Sequence, residues 1–228
     1  MYWLLNSSIG RKLIMSISGV FLVLFLLFHM CMNLVLVFSA EAYDMICVFL
    51  GANWYAIAAT LVLGGGTAIH ILYGTILTLQ NKKARGADKY ASSSKTKTEW
   101  AAKNMYVLGL IIFLGLIIHM WNFWYKMQFA ELLHLPGAVS EGSGLVIELF
   151  SNPIYTVVYL LWLFAIWFHL THGVWSAFQS IGLNGKAWYP RLKFISEIVA
   201  TIIMIGFSVV PIFFTCKAIV EGTFCWGI

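Results

Sequence analysis

The sequence predicts an all-α integral membrane protein, a single domain over residues 1–228 with five transmembrane helices. Of its 228 residues, 61% are hydrophobic and only 10% are charged, and the mean hydropathy is +0.86. A soluble domain carries about 25% charged residues because it must coat its surface. This surface must therefore face lipid. Five apolar segments are each long enough to cross a bilayer, which takes about 20 residues at 1.5 Å rise per residue.

The lengths of the apolar segments set the expected spans. We predict them at residues 13–38, 54–79, 105–125, 153–178 and 194–216. Pro153 begins the fourth span, where its missing N–H costs nothing, whereas Pro211 lies within the fifth and is expected to kink it. The first apolar segment is too long for a cleavable signal peptide, so we expect it to remain as a helix.

The basic residues predict the orientation. Twelve of the 14 Lys and Arg residues fall on the side of the N-terminus, and the positive-inside rule then makes that side cytoplasmic. This topology explains the net charge of +5 without a nucleic-acid partner. The twelve are Arg11, Lys12, Lys82, Lys83, Arg85, Lys89, Lys95, Lys97, Lys103, Lys186, Arg191 and Lys193. The other side has Lys126 and Lys217 and collects Glu41, Asp44, Glu131, Glu141, Glu148 and Glu221.

Histidines occur in each of the first four spans, and an ionisable residue inside a membrane is costly and usually functional. Counted from the start of each span, His29 and His119 reach the outer half and His70 and His169 the inner half. The two layers should lie roughly 10 Å apart along the membrane normal. A lone histidine could simply bond to a neighbouring helix, but four at two matched depths favour a shared ligand.

Two histidines at one depth on separate helices can be the axial ligands of a haem iron in a bundle core. Zinc would need further ligands, and no Cys, Asp or Glu lies at these depths. Small residues one turn from the histidines would leave flat space for a porphyrin, although such residues also occur wherever membrane helices pack. They are Gly66 and Gly74 around His70, Gly115 before His119, and Ala165 and Gly173 around His169.

His172 lies one turn inward of His169 and is an alternative ligand. Its depth matches that of His70 less well than the depth of His169 does. We therefore expect His169 to bind the metal and His172 to contact a propionate, line a quinone pocket or pack as a core histidine. The sequence thus predicts two b-type haems.

Each histidine has a distinctive local sequence. These are S-I-G-R-K and L-F-H-M-C-M-N-L near His29, A-I-H-I-L-Y-G around His70, I-H-M-W around His119 and F-H-L-T-H-G-V-W-S around His169. Taken in order over nearly the whole chain, they resemble the cytochrome b subunit of succinate:quinone oxidoreductases, of the single-chain, five-helix, two-haem type. The last is the most specific and matches the family ligand to His169.

The resemblance implies a membrane anchor of succinate dehydrogenase or fumarate reductase in the cell inner (cytoplasmic) membrane. A proximal haem would be held by His70 and His169, and a distal haem by His29 and His119, in agreement with the depth count. The partners would be a flavoprotein, which holds the dicarboxylate site, and an iron–sulfur protein, with menaquinone as the favoured quinone. The chain would thus be part of an enzyme of the respiratory chain and the tricarboxylic acid cycle.

Quinone reduction takes up protons, so we expect an acid near the distal haem. Glu41 and Asp44 follow the first span at the right level, although ordinary loop acids would look the same. Arg11 is a candidate for a propionate or docking contact. Some family members carry a glutamate beside the fourth-helix ligand, but Ile166 and Trp167 stand in its usual place here. The resemblance therefore does not imply charge movement across the membrane.

Other functions remain open. The cytochrome b of quinol:cytochrome c reductases has two histidines on each of two helices, about four turns apart, which this spacing disfavours. Membrane anchors of formate dehydrogenases or nitrate reductases remain alternatives. So does a small haem-free proton-coupled transporter, although the sequence has no visible internal repeat and Gly64–Gly66 is its one suspicious helix interruption.

Overall fold

A computed structural model describes residues 7–85, 100–183 and 185–224. Within these ranges the chain is all-helical, and five helices are long and apolar enough to cross a membrane. The predicted fold class is confirmed. Three basic residues of the polar loop, Lys89, Lys95 and Lys97, lie outside the described residues.

Seven helices make up the described part of the chain. Five are spanning helices, and each contains one of the predicted spans and extends beyond it, because the polar residues at its ends continue the helix. The two others, α2 and α5, are too short to span and were not predicted. The bounds are α1 Ser8–Phe38, α2 Ala40–Phe49, α3 Trp54–Arg85, α4 Trp100–Leu132, α5 Ser143–Phe150, α6 Pro153–Ser180 and α7 Trp188–Glu221.

Side-chain caps begin three of these helices. The hydroxyl oxygen of Ser7 accepts a hydrogen bond from the backbone N–H of Gly10, 2.9 Å away, at the start of α1. Ser39 ends α1 and caps α2, and Asn152 caps α6 with Pro153 in the first turn. Each cap satisfies a backbone donor that the first turn leaves without a partner.

The centre of the bundle is the contact between α6 and α7, where Ala200 and Ile203 are fully buried. The hydroxyl group of the buried Ser196 joins these helices, since it donates to the carbonyl oxygens of Leu170 and Thr171. Around this centre, α1 packs against α3, α6 and α7, and α4 packs against α6. Contacts between α3 and α4 are few, so a space lined by α1, α3, α4 and α6 remains between them.

Large apolar side chains face outward along the spanning helices. Leu24 of α1 is 61% exposed, Leu61 of α3 is 71% exposed and Leu161 of α6 is 65% exposed. Such surfaces are explained by contact with lipid tails. Pro211, where a kink was expected, lies inside α7, which continues through it to Glu221.

Helix α4 changes from α- to π-helical geometry over Met120–Phe129, directly after His119. Both Asn122 and Gln128 in this segment are buried. A π-helical segment is rare and often marks a functional site, because the wider turns rotate the following side chains. No feature of the sequence predicted this segment.

Candidate functional site

The structure brings together the two histidine pairs that the depth count predicted. The ring centroids of His29 and His119 are 5.8 Å apart, and those of His70 and His169 are 6.2 Å apart. The four residues come from α1, α4, α3 and α6, one from each helix. The antiparallel order of the helices therefore places the two pairs at different levels of the bundle.

Neighbouring contacts give the distance between the two levels. A Cβ added to Gly109 would lie 4.0 Å from Cε1 of His169, so Gly109 marks the level of that ring on α4. His119 follows ten residues later on the same helix, which corresponds to about 15 Å. The levels are thus somewhat further apart than the roughly 10 Å that the sequence indicated.

A single cavity of about 2370 Å³ runs between the helices and is lined by all four of these histidines. Ligand pockets measure roughly 300–1,000 Å³, so this cavity has room for more than one large cofactor. Apolar side chains dominate its walls. It extends toward Lys12 and Asn81 at one end of the bundle and toward Tyr43 and Glu131 at the other.

The distances within each pair fit a metal held between two imidazoles. A metal–nitrogen bond is about 2 Å long and the ring centre lies roughly 1 Å further, so the centroids would be about 6 Å apart. In the described part of the chain, no group of three or more His, Cys, Asp or Glu side chains is placed to hold a metal ion. Each pair therefore offers two ligands, and a metal held there would need its remaining ligands from a bound group.

The polar neighbours of two histidines leave a ring nitrogen suited to metal binding. The hydroxyl group of Ser18 lies 3.2 Å from Nδ1 of His70. The amide nitrogen of Asn33 donates to the backbone carbonyl oxygen of His29 at 2.8 Å and lies 3.4 Å from Nε2 of the same residue. An amide N–H can only donate, so this contact is typical of an unprotonated Nε2.

The glycines predicted to flank a porphyrin fall into two groups. Gly74 and Gly173 line the cavity, as does Ala177 further along α6. Gly66 instead faces the ring of Phe21, and Gly115 faces the indole of Trp162, so these two make room for aromatic side chains. Their positions one turn from a histidine do not place them on the cavity wall.

His172 lines the cavity one turn from His169, and its ring lies 4.7 Å from that of Trp175. The ring in contact with His70 is that of His169, as predicted. Arg11 lies in the first turn of α1 and is not among the residues that line the cavity, whereas the adjacent Lys12 is.

The two acids predicted near the distal haem lie elsewhere. Glu41 and Asp44 line a separate surface pocket of about 700 Å³ together with Glu141. The Asp44 carboxylate accepts hydrogen bonds from the backbone N–H and the hydroxyl group of Ser143, at 2.8 and 2.6 Å. Asp44 therefore stabilises the start of α5. Neither Glu41 nor Asp44 lines the large cavity.

Glu131 is the acid that lines the cavity beyond the His29–His119 pair. It lies at the end of α4, with its carboxylate against Gly51, where an added Cβ would be 3.2 Å from Oε2. From the sequence, Glu131 was only one of the six acids on the outer side. Its position after a π-helical segment could not be derived from α-helical spacing.

Tyr43 and Cys47 line the same end of the cavity from α2 and are hydrogen-bonded to each other. Burial is the main cause that raises the pKa of the Tyr43 hydroxyl group, and burial also raises the pKa of the Cys47 thiol. Both side chains are therefore neutral near pH 7.

The fold and the site define a class of protein: a five-span helical membrane protein with two intramembrane histidine pairs on one internal cavity. Comparison of the chain with family models, with curated proteins and with solved structures found no match. The family resemblance drawn from the histidine contexts therefore stays a prediction.

Proposed function

We propose that this chain is the membrane-anchor cytochrome b subunit of a succinate dehydrogenase or fumarate reductase. The observation that carries the proposal is the pairing of His29 with His119 and of His70 with His169 on one cavity. Two histidines at one level favour a shared ligand, because a histidine that only packs does not need a second one at its level.

The histidine pairs would hold two b-type haems, His70 with His169 and His29 with His119. The haems would carry single electrons between an iron–sulfur partner and a quinone. Ligation by two histidines leaves no open iron position, which suits electron transfer rather than oxygen chemistry. The low-polarity walls of the cavity would exclude water from both pairs.

The quinone would bind in the part of the cavity beyond the His29–His119 pair. Tyr43, Gln128 and Glu131 give this part its polar groups. Of these, Glu131 is the residue that can deliver a proton to a reduced quinone oxygen, since Gln128 has no acidic proton and Tyr43 holds its proton tightly. Menaquinone remains the favoured quinone.

The iron–sulfur and flavoprotein subunits would dock at the basic end of the bundle. This end holds the first turns of α1 and α4 and the last turn of α3, including Lys12, Lys82 and Lys103. Under the positive-inside rule the basic end faces the cytoplasm. The membrane would be the cell inner membrane. Electrons would then cross from the basic end through His70 and His169 first.

The test is the haem content of the purified chain and of its variants. We expect two low-spin b haems per chain in a reduced-minus-oxidised spectrum. His119→Ala should remove one haem and His169→Ala the other, whereas His172→Ala should retain both. His134→Asn is the matched control, because His134 is exposed and has a positive φ of 52° that Asn tolerates.

Two outcomes would overturn the proposal. A chain without haem would favour the haem-free transporter, and two haems that survive both His119→Ala and His169→Ala would refute the ligand assignment. Mass spectrometry of the subunits that co-purify separates a succinate or fumarate complex from a formate or nitrate enzyme.

A further inference from the structure

Ser18 in α1 is 7% exposed, and its hydroxyl group makes two contacts of hydrogen-bond length. Its Oγ lies 3.0 Å from the carbonyl oxygen of Met15 and 3.2 Å from Nδ1 of His70. A carbonyl oxygen can only accept, so the single hydroxyl hydrogen points to Met15. With Nδ1 of His70 protonated, the Ser18 oxygen is the acceptor in the second contact, and the His70 ring is also hydrogen-bonded to the backbone of Met15.

This direction fixes the protonation of the His70 ring. A neutral imidazole carries one proton, so a protonated Nδ1 leaves a lone pair on Nε2. Hydrogen bonds from the second nitrogen of a ligating histidine hold the tautomer and the ring orientation, and they make the ligand more basic. Ser18 thus prepares His70 to bind a metal through Nε2.

A glycine allows the close approach of the His70 ring to α1. A Cβ added to Gly19 would lie 3.3 Å from Cε1 of His70 and 3.7 Å from its Nδ1. The 3.3 Å distance is shorter than most contacts of real Cβ atoms, so the ring would have to shift away from α1 by a few tenths of an ångström. Gly19 therefore leaves the space in which the His70 ring reaches the hydroxyl group of Ser18.

His119 on α4 and His169 on α6 lack a hydrogen bond of this kind at Nδ1. Nδ1 of His119 and Nδ1 of His169 are buried and have no hydrogen-bond partner among the described residues. At His29 the polar neighbour, Asn33, is a donor at Nε2 rather than an acceptor at Nδ1. The two histidine pairs thus differ in the basicity of one ligand.

We propose that Ser18 is a positioning residue that holds His70 in the Nδ1-protonated tautomer and lowers the reduction potential of the haem bound by His70 and His169. A more basic axial ligand stabilises the oxidised iron more than the reduced iron. The proposal rests on the proposed function and deepens it, because it names what distinguishes the two haems of one chain.

The experiment is a potentiometric titration of the purified protein and of four variants. Ser18→Ala should raise one of the two haem potentials and leave the other unchanged. That haem should also be lost faster to an excess of globin apoprotein, by about 10- to 100-fold, the usual cost of removing such a contact. Ser18→Thr keeps the hydroxyl group and should restore the wild-type values.

The control is Ser208→Ala, which removes a hydroxyl group bonded to the backbone oxygen of Met204 in α7, away from the cavity. Wild-type potentials and haem retention in Ser18→Ala, equal to those of this control, would overturn the inference while two haems per chain still support the proposed function. A wild-type chain without haem would refute the proposed function instead.

A second variant keeps the inference testable if Ser18→Ala does not accumulate. Gly19→Ala replaces a helical glycine with the best helix former and should fold. It pushes the His70 ring away from Ser18, so the same single potential should rise. Unchanged potentials in Gly19→Ala would contradict the role of this contact.

Discussion

The side-chain amide of Gln128 donates a hydrogen bond to the carbonyl oxygen of Gly51, 3.0 Å away, and so joins the π-helical segment of α4 to the loop between α2 and α3. Its Oε1 accepts from the hydroxyl group of Thr60 at 2.8 Å and from the indole of Trp124 at 2.9 Å. Gln128 is 9% exposed. One buried amide thus ties together three parts of the chain around the end of the cavity.

Replacing Gln128 with Leu should destabilise the protein. The substitution keeps most of the volume but removes the partner of three half-buried polar groups, and the expected cost is about 1–3 kcal/mol. Chemical unfolding in detergent micelles measures the change. Asn104→Ala is the control, because its amide bonds only to the exposed backbone of its own helix. Equal stabilities for the two variants would refute the structural role of Gln128.

Gly115→Ala should also destabilise the protein, because an added Cβ would lie 2.1 Å from Cδ1 of Trp162. The indole would have to move, which breaks its 3.0 Å hydrogen bond to the backbone oxygen of Ile112. Overpacking of this kind costs about 1–3 kcal/mol. The measurement is again chemical unfolding in micelles.

Gly65→Ala is the matched control for Gly115→Ala, since nothing lies within 4 Å of an added Cβ at Gly65. A helical Gly→Ala change in open space should leave stability unchanged or raise it by up to about 1 kcal/mol. If both substitutions change the free energy of unfolding equally, the close packing of Trp162 against Gly115 is refuted.

The sequence predicted those features that depend on counting. Apolar length gave the five spans, and residue number along antiparallel helices gave the partners of His29 and His70. Ser18 could also have been found, since it lies eleven residues, about three turns, before His29 and so on the same face of α1. This spacing can be read from the sequence, but serines inside membrane helices are too common for the spacing to identify Ser18.

Other parts of the site depend on contacts that spacing does not contain. Gln128 lies within the π-helical segment and Glu131 follows it, so α-helical periodicity beyond His119 assigns both to the wrong face. Gly115 is a small residue one turn from a histidine, as expected, but a tryptophan from α6 fills the space beside it. Only the fold shows which neighbour takes that space.

Cys47 should react slowly with thiol reagents at neutral pH. Burial raises the pKa of its thiol above the ordinary value of about 9.0, so the midpoint of alkylation rate against pH should lie above 9. The measurement uses a chain in which Cys31, Cys216 and Cys225 are replaced by Ser, with a small free thiol as the reference. A midpoint at or below that of the reference would contradict the burial of Cys47.

The same pKa shift predicts how stability depends on pH. Above the ordinary thiol pKa the unfolded state loses the proton and the folded state keeps it, so the unfolded state binds fewer protons. The free energy of unfolding should therefore fall as the pH rises from about 9 toward the raised pKa. Cys47→Ala should remove this part of the decline, which unfolding curves between pH 8 and pH 11 would measure.

Asp44→Ala should lower stability without changing haem content. The carboxylate accepts two hydrogen bonds from Ser143 at the start of α5, and loss of such a cap costs about 1 kcal/mol. Unfolding curves and reduced-minus-oxidised spectra test both parts. Ser143→Ala should reproduce part of the loss, because it removes the hydroxyl contact but keeps the backbone contact.

Under the proposed function, Glu131→Gln should slow the reaction with quinone and leave both proposed haems in place. Glu131 lines the cavity beyond His29 and His119, and a general acid contributes about 10²- to 10⁴-fold to a proton transfer. The measurement is the rate at which a soluble naphthoquinone reoxidises the reduced protein. Glu41→Gln is the matched control, because Glu41 is an exposed acid of the separate surface pocket. A slow Glu41→Gln variant beside an unaffected Glu131→Gln variant would return the proton-donor role to the acid that the sequence first indicated.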